Sequence, residues 1–299
     1  MQIGFIGAGK VGVSLGKYFK EKGRAVAGYY SRTETSARWA AEFTDTAYYE
    51  NLQQIISDCD ILMFTVPDDK IAEVYRQAKP YLSGKIIAHC SGLHSSKIFS
   101  DIGTADCSAY SIHPLCAVSS KEYSYKLLSD TLFTIEGDNA HISTMQQMFE
   151  EMGNRTCVIS AENKAKYHAA ASLASNHMTA VFYMAEKLFL ECGFSEKQAR
   201  EELYGLAKGN LENILAQGCI ASLTGPIERG DAATVEKHLD CLPEEIRSAY
   251  LENGKQLVEI AEKKHPKRDN SRIKNLLERK SEKYEEHRTY LTETERRKR

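Results

Sequence analysis

The sequence predicts a doubly wound α/β domain of parallel strands followed by an all-helical domain. Three observations predict it. Short apolar runs alternate with amphipathic stretches through the first half, a glycine loop separates the first run from the first amphipathic stretch, and strand signals fade near Ala161. The chain has 299 residues, of which 42% are hydrophobic, enough for a core in each half. A net charge of −2 supplies no global field that would recruit nucleic acid or an anionic membrane. No apolar run approaches the roughly 18–20 residues of a membrane span. Met1-Gln2-Ile3 runs straight into a strand pattern with no signal-peptide signature, so the cytoplasm is the expected location. The 8 cysteines are scattered with no C-x-x-C pair and read as small apolar residues, not as a disulfide framework or a metal site.

Taken in order, Gln2 to Ile6 is a short apolar strand, and Val11 to Lys22 has helical spacing. Ala25 to Tyr30 is a second strand, and Ser36 to Phe43 a short helix. Ile61 to Val66 is a continuous apolar run, the mark of a strand buried on both faces of a parallel sheet. Ile71 to Tyr81 reads as helix, and Lys85 to His89 as another buried strand. Ser108 to Ile112, Thr131 to Glu136 and Thr156 to Ile159 complete the strands, with a helix from Ile142 to Met152. Beyond them, Lys164 to Cys192 and Ser195 to Ile214 are long amphipathic stretches, Ser195 being the expected N-cap. Helices over Ala232–Leu239 and Glu244–Lys263 follow. The domains are expected at 1–155 and 163–262. The segment 263–299, dense in Lys, Arg and Glu, reads as a solvated helix or frayed tail.

Gly7-Ala8-Gly9-Lys10-Val11-Gly12 is a full G-x-G-x-x-G between a strand and a helix, the context that makes it a dinucleotide loop. Gly7 suits a tight turn, Gly9 a close approach to a pyrophosphate, and Gly12 close helix–strand packing. The second strand ends in Ser31-Arg32-Thr33 with no carboxylate before Glu34. Arg32 can pair with a 2′-phosphate, so NADP is the expected cofactor. Val66-Pro67 and Ser91-Gly92 follow later strands, at the carboxyl ends where ligands sit in open parallel sheets.

His113, in Ser111-Ile112-His113-Pro114-Leu115, follows a strand and can act as a general acid or an anion ligand. On a helix, Lys164, His168, Ser172 and Ser175-Asn176 fall near one stripe flanked by alanines. Lys164 or His168 can supply a proton there, and Ser172, Ser175 or Asn176 can orient a substrate oxygen. The loop around Leu223-Thr224-Gly225-Pro226 holds Arg229, which can anchor a substrate anion, and Asp231, which can cap the next helix.

These motifs together resemble those of Rossmann proteins with a helical second half of unknown function, in the group of 6-phosphogluconate dehydrogenase, pyrroline-5-carboxylate reductase and ketopantoate reductase. The match is carried by the glycine loop, His89-Cys90-Ser91-Gly92, Ser111–Leu115, Lys164 with Tyr167–Ala171 and Ser175-Asn176, and Leu223–Pro226 with Arg229-Gly230-Asp231. The resemblance implies a Rossmann doubly wound sheet, then an all-α 6-phosphogluconate-dehydrogenase-like domain. It implies an NADP-linked oxidoreductase, often dimeric through the helical domain, and supplies no substrate. The expected substrate is a small carbonyl, imine or hydroxy acid. Hydroxyacid dehydrogenases of the group place an Asn one turn after the catalytic Lys, where this chain has His168. A protein that binds NADP as a sensor without catalysis, and hydride exchange with a deazaflavin, are the rival readings.

Overall fold

The computed structural model describes residues 1–100 and 106–281. The chain divides into two compact units, Met1–Met178 and the residues from Thr179 on.

The first unit is built on an eight-stranded sheet. Its strands are β1 (Ile3–Ile6), β2 (Val26–Tyr30), β3 (Ala47–Tyr48), β4 (Ile61–Phe64), β5 (Ile86–His89), β6 (Ser108–Pro114), β7 (Leu132–Gly137) and β8 (Arg155–Val158), in spatial order β3-β2-β1-β4-β5-β6-β7-β8. The connecting helices are α1 (Lys10–Glu21), α2 (Glu34–Thr44), α3 (Leu52–Asp58), α4 (Ile71–Ala78) and α5 (Ile142–Glu150). Side chains alternate across a strand, so each apolar run feeds two cores. Phe5 and Met63 join Phe19, Tyr29 and Phe149 on one face. Ile6, Leu62 and Phe64 join Ile55, Tyr75 and Phe99 on the other. That is why β4 is a continuous apolar run, fully buried at all four positions.

Every pairing is parallel except β6 with β7, which is antiparallel. The doubly wound reading holds, but the sheet is mixed where an all-parallel one was expected. Between Pro114 and Leu132 there is no α-helix, only a 3-10 helix over Ser124–Asp130 that packs on α1. The connection stays at the carboxyl end of the sheet and is tied to α1 by the Ser14 hydroxyl on the Ser120 carbonyl (3.3 Å), so β7 must run back. Two elements escape the sequence reading. β3 has only two residues, too few for a pattern. The seven-residue α3 carried a legible signal: Asn51 accepts from the Gln54 amide at 3.0 Å as its N-cap.

Between β1 and β4 the strand order reverses, which opens a crevice at their carboxyl ends. The glycine loop lies there. The Gly7 amide donates to the Tyr30 carbonyl (2.7 Å), and the Thr65 hydroxyl donates to the Gly7 carbonyl (2.8 Å). Gly7 has φ of 115°, a conformation that favours glycine. At Gly12 a Cβ would stand 2.3 Å from Thr65 Oγ1 and 2.5 Å from the Gly7 carbonyl oxygen.

After β8 the chain enters α6 (Lys164–Ser172), a π-helical turn (Leu173–His177) and α7 (Met178–Glu191). The second unit continues with α8 (Glu196–Ser222), α9 (Pro226–Arg229), α10 (Ala232–Cys241) and α11 (Glu244–Lys264). Ser195 caps α8 through a reciprocal pair with Gln198, and Asp231 caps α10 by accepting from the Thr234 amide at 3.1 Å. α8 outlasts its sequence pattern and kinks at Gly218. The core of this unit is Ile227, Val235, Leu239, Leu251 and Val258. Residues 271–281 are helical, and Ile273, Leu276 and Leu277 complete that core, so part of the charged segment is packed. Their i, i+3, i+4 spacing is the reason. The remainder of that segment, 282–299, lies outside the described residues.

Replacing Gly12 by Ala forces a methyl against Thr65 and the Gly7 carbonyl, and is expected to cost about 1–3 kcal/mol. The urea midpoint of the variant is the measurement; an unchanged midpoint would contradict the close packing of α1 on the loop.

Candidate active site at the carboxyl ends of the strands

The start of α1 suits an anion. Its N-cap is Gly9, and no side chain caps the helix, so the first-turn amides of a helix preceded by glycine face outward. Gly9 has only the Thr65 carbonyl oxygen, at 3.8 Å, near where a Cβ would stand. Gly7, Ala8 and Gly12 are buried in the loop, Val11 is half-buried, and Gly9 and Lys10 are exposed. At the end of β2, Ser31 is half-buried and Arg32 and Thr33 are exposed. Thr33 donates its hydroxyl to Ser36 (2.8 Å), and Arg32 has no hydrogen bond or ion pair among the described residues. Val66 is half-buried and Pro67 exposed after β4.

The second cluster is centred on Lys164. Its side chain is 1% exposed, and its Nζ donates to the Ser91 carbonyl (2.8 Å) and to Ser111 Oγ (2.7 Å). Ser111 in turn donates to the same Ser91 carbonyl (3.1 Å), and Ser91 donates its hydroxyl to Asp68 (2.6 Å). The first residue of α6 is thereby fastened to the ends of β5 and β6. Burial lowers the Lys164 pKa to about 8, against the opposing pull of the carboxylates Glu136 and Asp68 and of the Cys90 thiol where it ionises.

His113 and His168 flank this ammonium. The His113 Nδ1 pairs with the Tyr167 hydroxyl at 2.8 Å, and its ring lies edge-on to His168 at 6.2 Å. Burial, then the charges of Lys164 and His168, lower the His113 pKa to about 4, so its imidazole is neutral at pH 7. Both rings converge on Gly92. A Cβ there would stand 2.5 Å from His168 Nδ1 and 3.0 Å from His113 Nε2. His168 Nδ1 is buried with no hydrogen-bond partner among the described residues. His89 lies below, donating to the Ser95 carbonyl (3.1 Å) and accepting from the Ser91 amide (3.2 Å); burial lowers its pKa to about 4.

Lys164, His168, His113, Ser91 and Gly92 are therefore brought together within the first unit. The rest of the polar stripe is not continuous with them. The π turn over Leu173–His177 shifts the helical phase after Ser172, which is half-buried, and Ser175 and Asn176 are exposed. Arg229 lies in the second unit, exposed, where its charge acts on Asp231. Sequence reasoning passed over Ser111, Asp68 and Glu136. Glu136 left a trace, a carboxylate inside a strand with no other charge. Among the described residues there is no cluster of three or more potential metal ligands, and no helix is long and apolar enough to cross a membrane.

Comparison with known proteins fits this architecture. Protein TM1727 from Thermotoga maritima is 29% identical over 87% of this chain and 98% of its own, with a TM-score of 0.68. Protein BF3122 from Bacteroides fragilis is 20% identical over 86% of this chain and 98% of its own, with a TM-score of 0.69. A pyrroline carboxylate reductase from Plasmodium falciparum, solved with NADP bound, shares the fold at 16% identity, over 91% of this chain and 98% of its own, with a TM-score of 0.59. No curated protein matches the chain. Residues 1–114 match the model of a Rossmann-like domain, and residues 131–257 that of a domain of unknown function, DUF2520. This chain joins a Rossmann-like domain to a DUF2520 domain.

Proposed function

We propose that this protein is an NADP-dependent oxidoreductase that reduces a small carbonyl or imine, or oxidises the corresponding hydroxy acid. The observation that carries the reading is the buried Lys164 ammonium, held on Ser91 and Ser111 at the carboxyl edge of the sheet that also holds the glycine loop. A lysine with a lowered pKa in such a place is suited to proton transfer. The NADP-bound Plasmodium reductase of the same fold supports the choice of cofactor.

Gly7 to Gly12 would hold the pyrophosphate, Arg32 with Ser31 and Thr33 the 2′-phosphate, and Val66, Pro67, Ser91 and Gly92 the nicotinamide half. Bound NADPH supplies a hydride. Lys164 Nζ then gives one proton to the substrate oxygen or nitrogen as the double bond's electron pair moves onto that atom. The amine left behind regains its proton from solvent. His113, neutral at pH 7, can hold the same oxygen by a hydrogen bond from Nε2 if the Tyr167 hydroxyl donates to Nδ1. His168 borders the same space.

We also infer a homodimer. α8 has three buried residues in 27, and Tyr204, Leu206, Leu211 and Leu215 are 49–89% exposed. The same unit contains an apolar cavity of about 770 Å³ lined by Met184, Leu188, Leu242, Ile246 and Leu257. Exposed apolar side chains on a helix and an apolar groove on one chain are complementary across a two-fold axis. A second copy covers both.

Replacing Lys164 by Ala is expected to lower kcat/KM by about 10²–10⁴ while NADPH affinity is retained. Turnover that survives replacing both Lys164 and His168 by Ala would overturn the assignment. With NADPH bound but no hydride transfer across a broad panel of carbonyls, imines and hydroxy acids, the sensor reading would replace it. Reduction requires the ammonium, so its rate falls as pH rises through about 8, whereas oxidation requires the amine and rises over the same range. Pre-steady-state rates in both directions test the sign.

Replacing Arg32 by Ala is expected to weaken NADPH binding by about ten- to hundredfold and leave NADH binding unchanged. Fluorescence titration decides it, and equal affinity of the unmodified protein for both cofactors would remove the NADP assignment. Light scattering should give a dimer mass for the native chain and a monomer mass for Leu215→Glu.

A further inference from the structure

We propose that Glu136 is a positioning residue that keeps Lys164 charged, acting across the β6–β7 pair beside Ser111. This rests on the reading of Lys164 as the proton donor. Glu136 stands directly opposite Ser111 in the antiparallel register. Opposite residues of such a pair project from the same face, with Cβ atoms about 5 Å apart. Ser111 is the hydroxyl that receives the Lys164 ammonium at 2.7 Å. The Glu136 carboxylate is therefore one side chain removed from Nζ.

It is also fixed. Glu136 is 6% exposed, and its two oxygens accept from the Ser96 amide (2.6 Å) and the Ser96 hydroxyl (2.9 Å). Both bonds come from one residue of the turn after β5, so the carboxylate cannot swing away without releasing that turn. No cation lies within ion-pair distance of it among the described residues, and its charge raises the Lys164 pKa against the pull of burial.

The other groups around Lys164 serve less well. Asp68, beyond β4, is exposed, and water screens its charge. Cys90, at the end of β5, carries no charge at neutral pH, because burial pushes its thiol up to about 12. His89 on β5 and His113 on β6 have pKa values lowered to about 4, so they are neutral there as well. On the lysine's own helix, Tyr167 offers its ring at 5.9 Å from Nζ, and His168 adds no negative charge. Glu136 is then the buried negative group that opposes desolvation of the ammonium, which burial alone would neutralise.

The test titrates Lys164 itself, in the full chain without cofactor or substrate, by carbon-13 NMR of its Cε, identified by its loss in Lys164→Arg. The midpoint is expected near 8 in the native protein. Glu136→Gln, which keeps shape and removes charge, should lower it by about one unit, a fivefold loss of ammonium at pH 8. Glu136→Asp, which keeps the charge, should bring it back toward the native value. A midpoint unchanged in Glu136→Gln would overturn the proposal. Should that variant fail to fold, the native protein decides: the Glu136 carboxyl resonance should inflect at the Lys164 midpoint, and its failure to do so would overturn the proposal. Since the titration involves no turnover, a negative result leaves Lys164 free to be the donor. A loss-free Lys164→Ala enzyme would remove the donor role without touching the titration.

Discussion

Burying the Lys164 ammonium is the constraint on which the rest of the site depends. A charge taken out of water is costly unless polar atoms replace its hydration. Here two acceptors do so, one from the end of β5 and one from β6. Satisfying them sets the position of α6 along the strand ends and brings its second turn over Gly92. Only a residue without a side chain permits the imidazole of His168 to lie there. Burial first, and then the same charge, keep the His113 ring neutral.

The two neighbours end up with distinct chemistry. Lys164 titrates near 8 and His113 near 4, so at neutral pH one is a proton reservoir and the other an uncharged hydrogen-bonding group. Both began as basic side chains. They start apart, a lysine near 10.5 and a histidine near 6.5, and burial carries both down together.

Much of this was legible in the sequence, for a definite reason. The glycine loop and the buried strands follow local rules, in which a turn, a helix start or an apolar run is decided by adjacent residues. Gly12 was readable because close packing excludes a Cβ, and the distance to Thr65 bears that out. The lysine–histidine pair was readable because four residues make about one helical turn. What was hidden depends on partners distant in sequence. Nothing local announces that β7 runs against β6, since the direction follows from where the connecting chain packs. Glu136 acquires its significance only from that direction, which sets it opposite Ser111. Asn176 was aligned with Lys164 on the assumption of regular helix, and the π turn breaks that assumption.

That π turn has a consequence for how the helix divides its tasks. It holds one residue more than a regular turn would, and one residue is about 100° of rotation. Lys164 and His168 lie before it, tied to the sheet, whereas everything from Met178 on lies after it, in a helix that leads into the second unit. The two stretches are out of register with one another by about a quarter turn. The face presented beyond His177 can therefore change, by gain or loss of a single residue, while the ammonium and its acceptors stay where they are. A scaffold of that kind can alter the surface it presents without rebuilding the buried lysine and its acceptors.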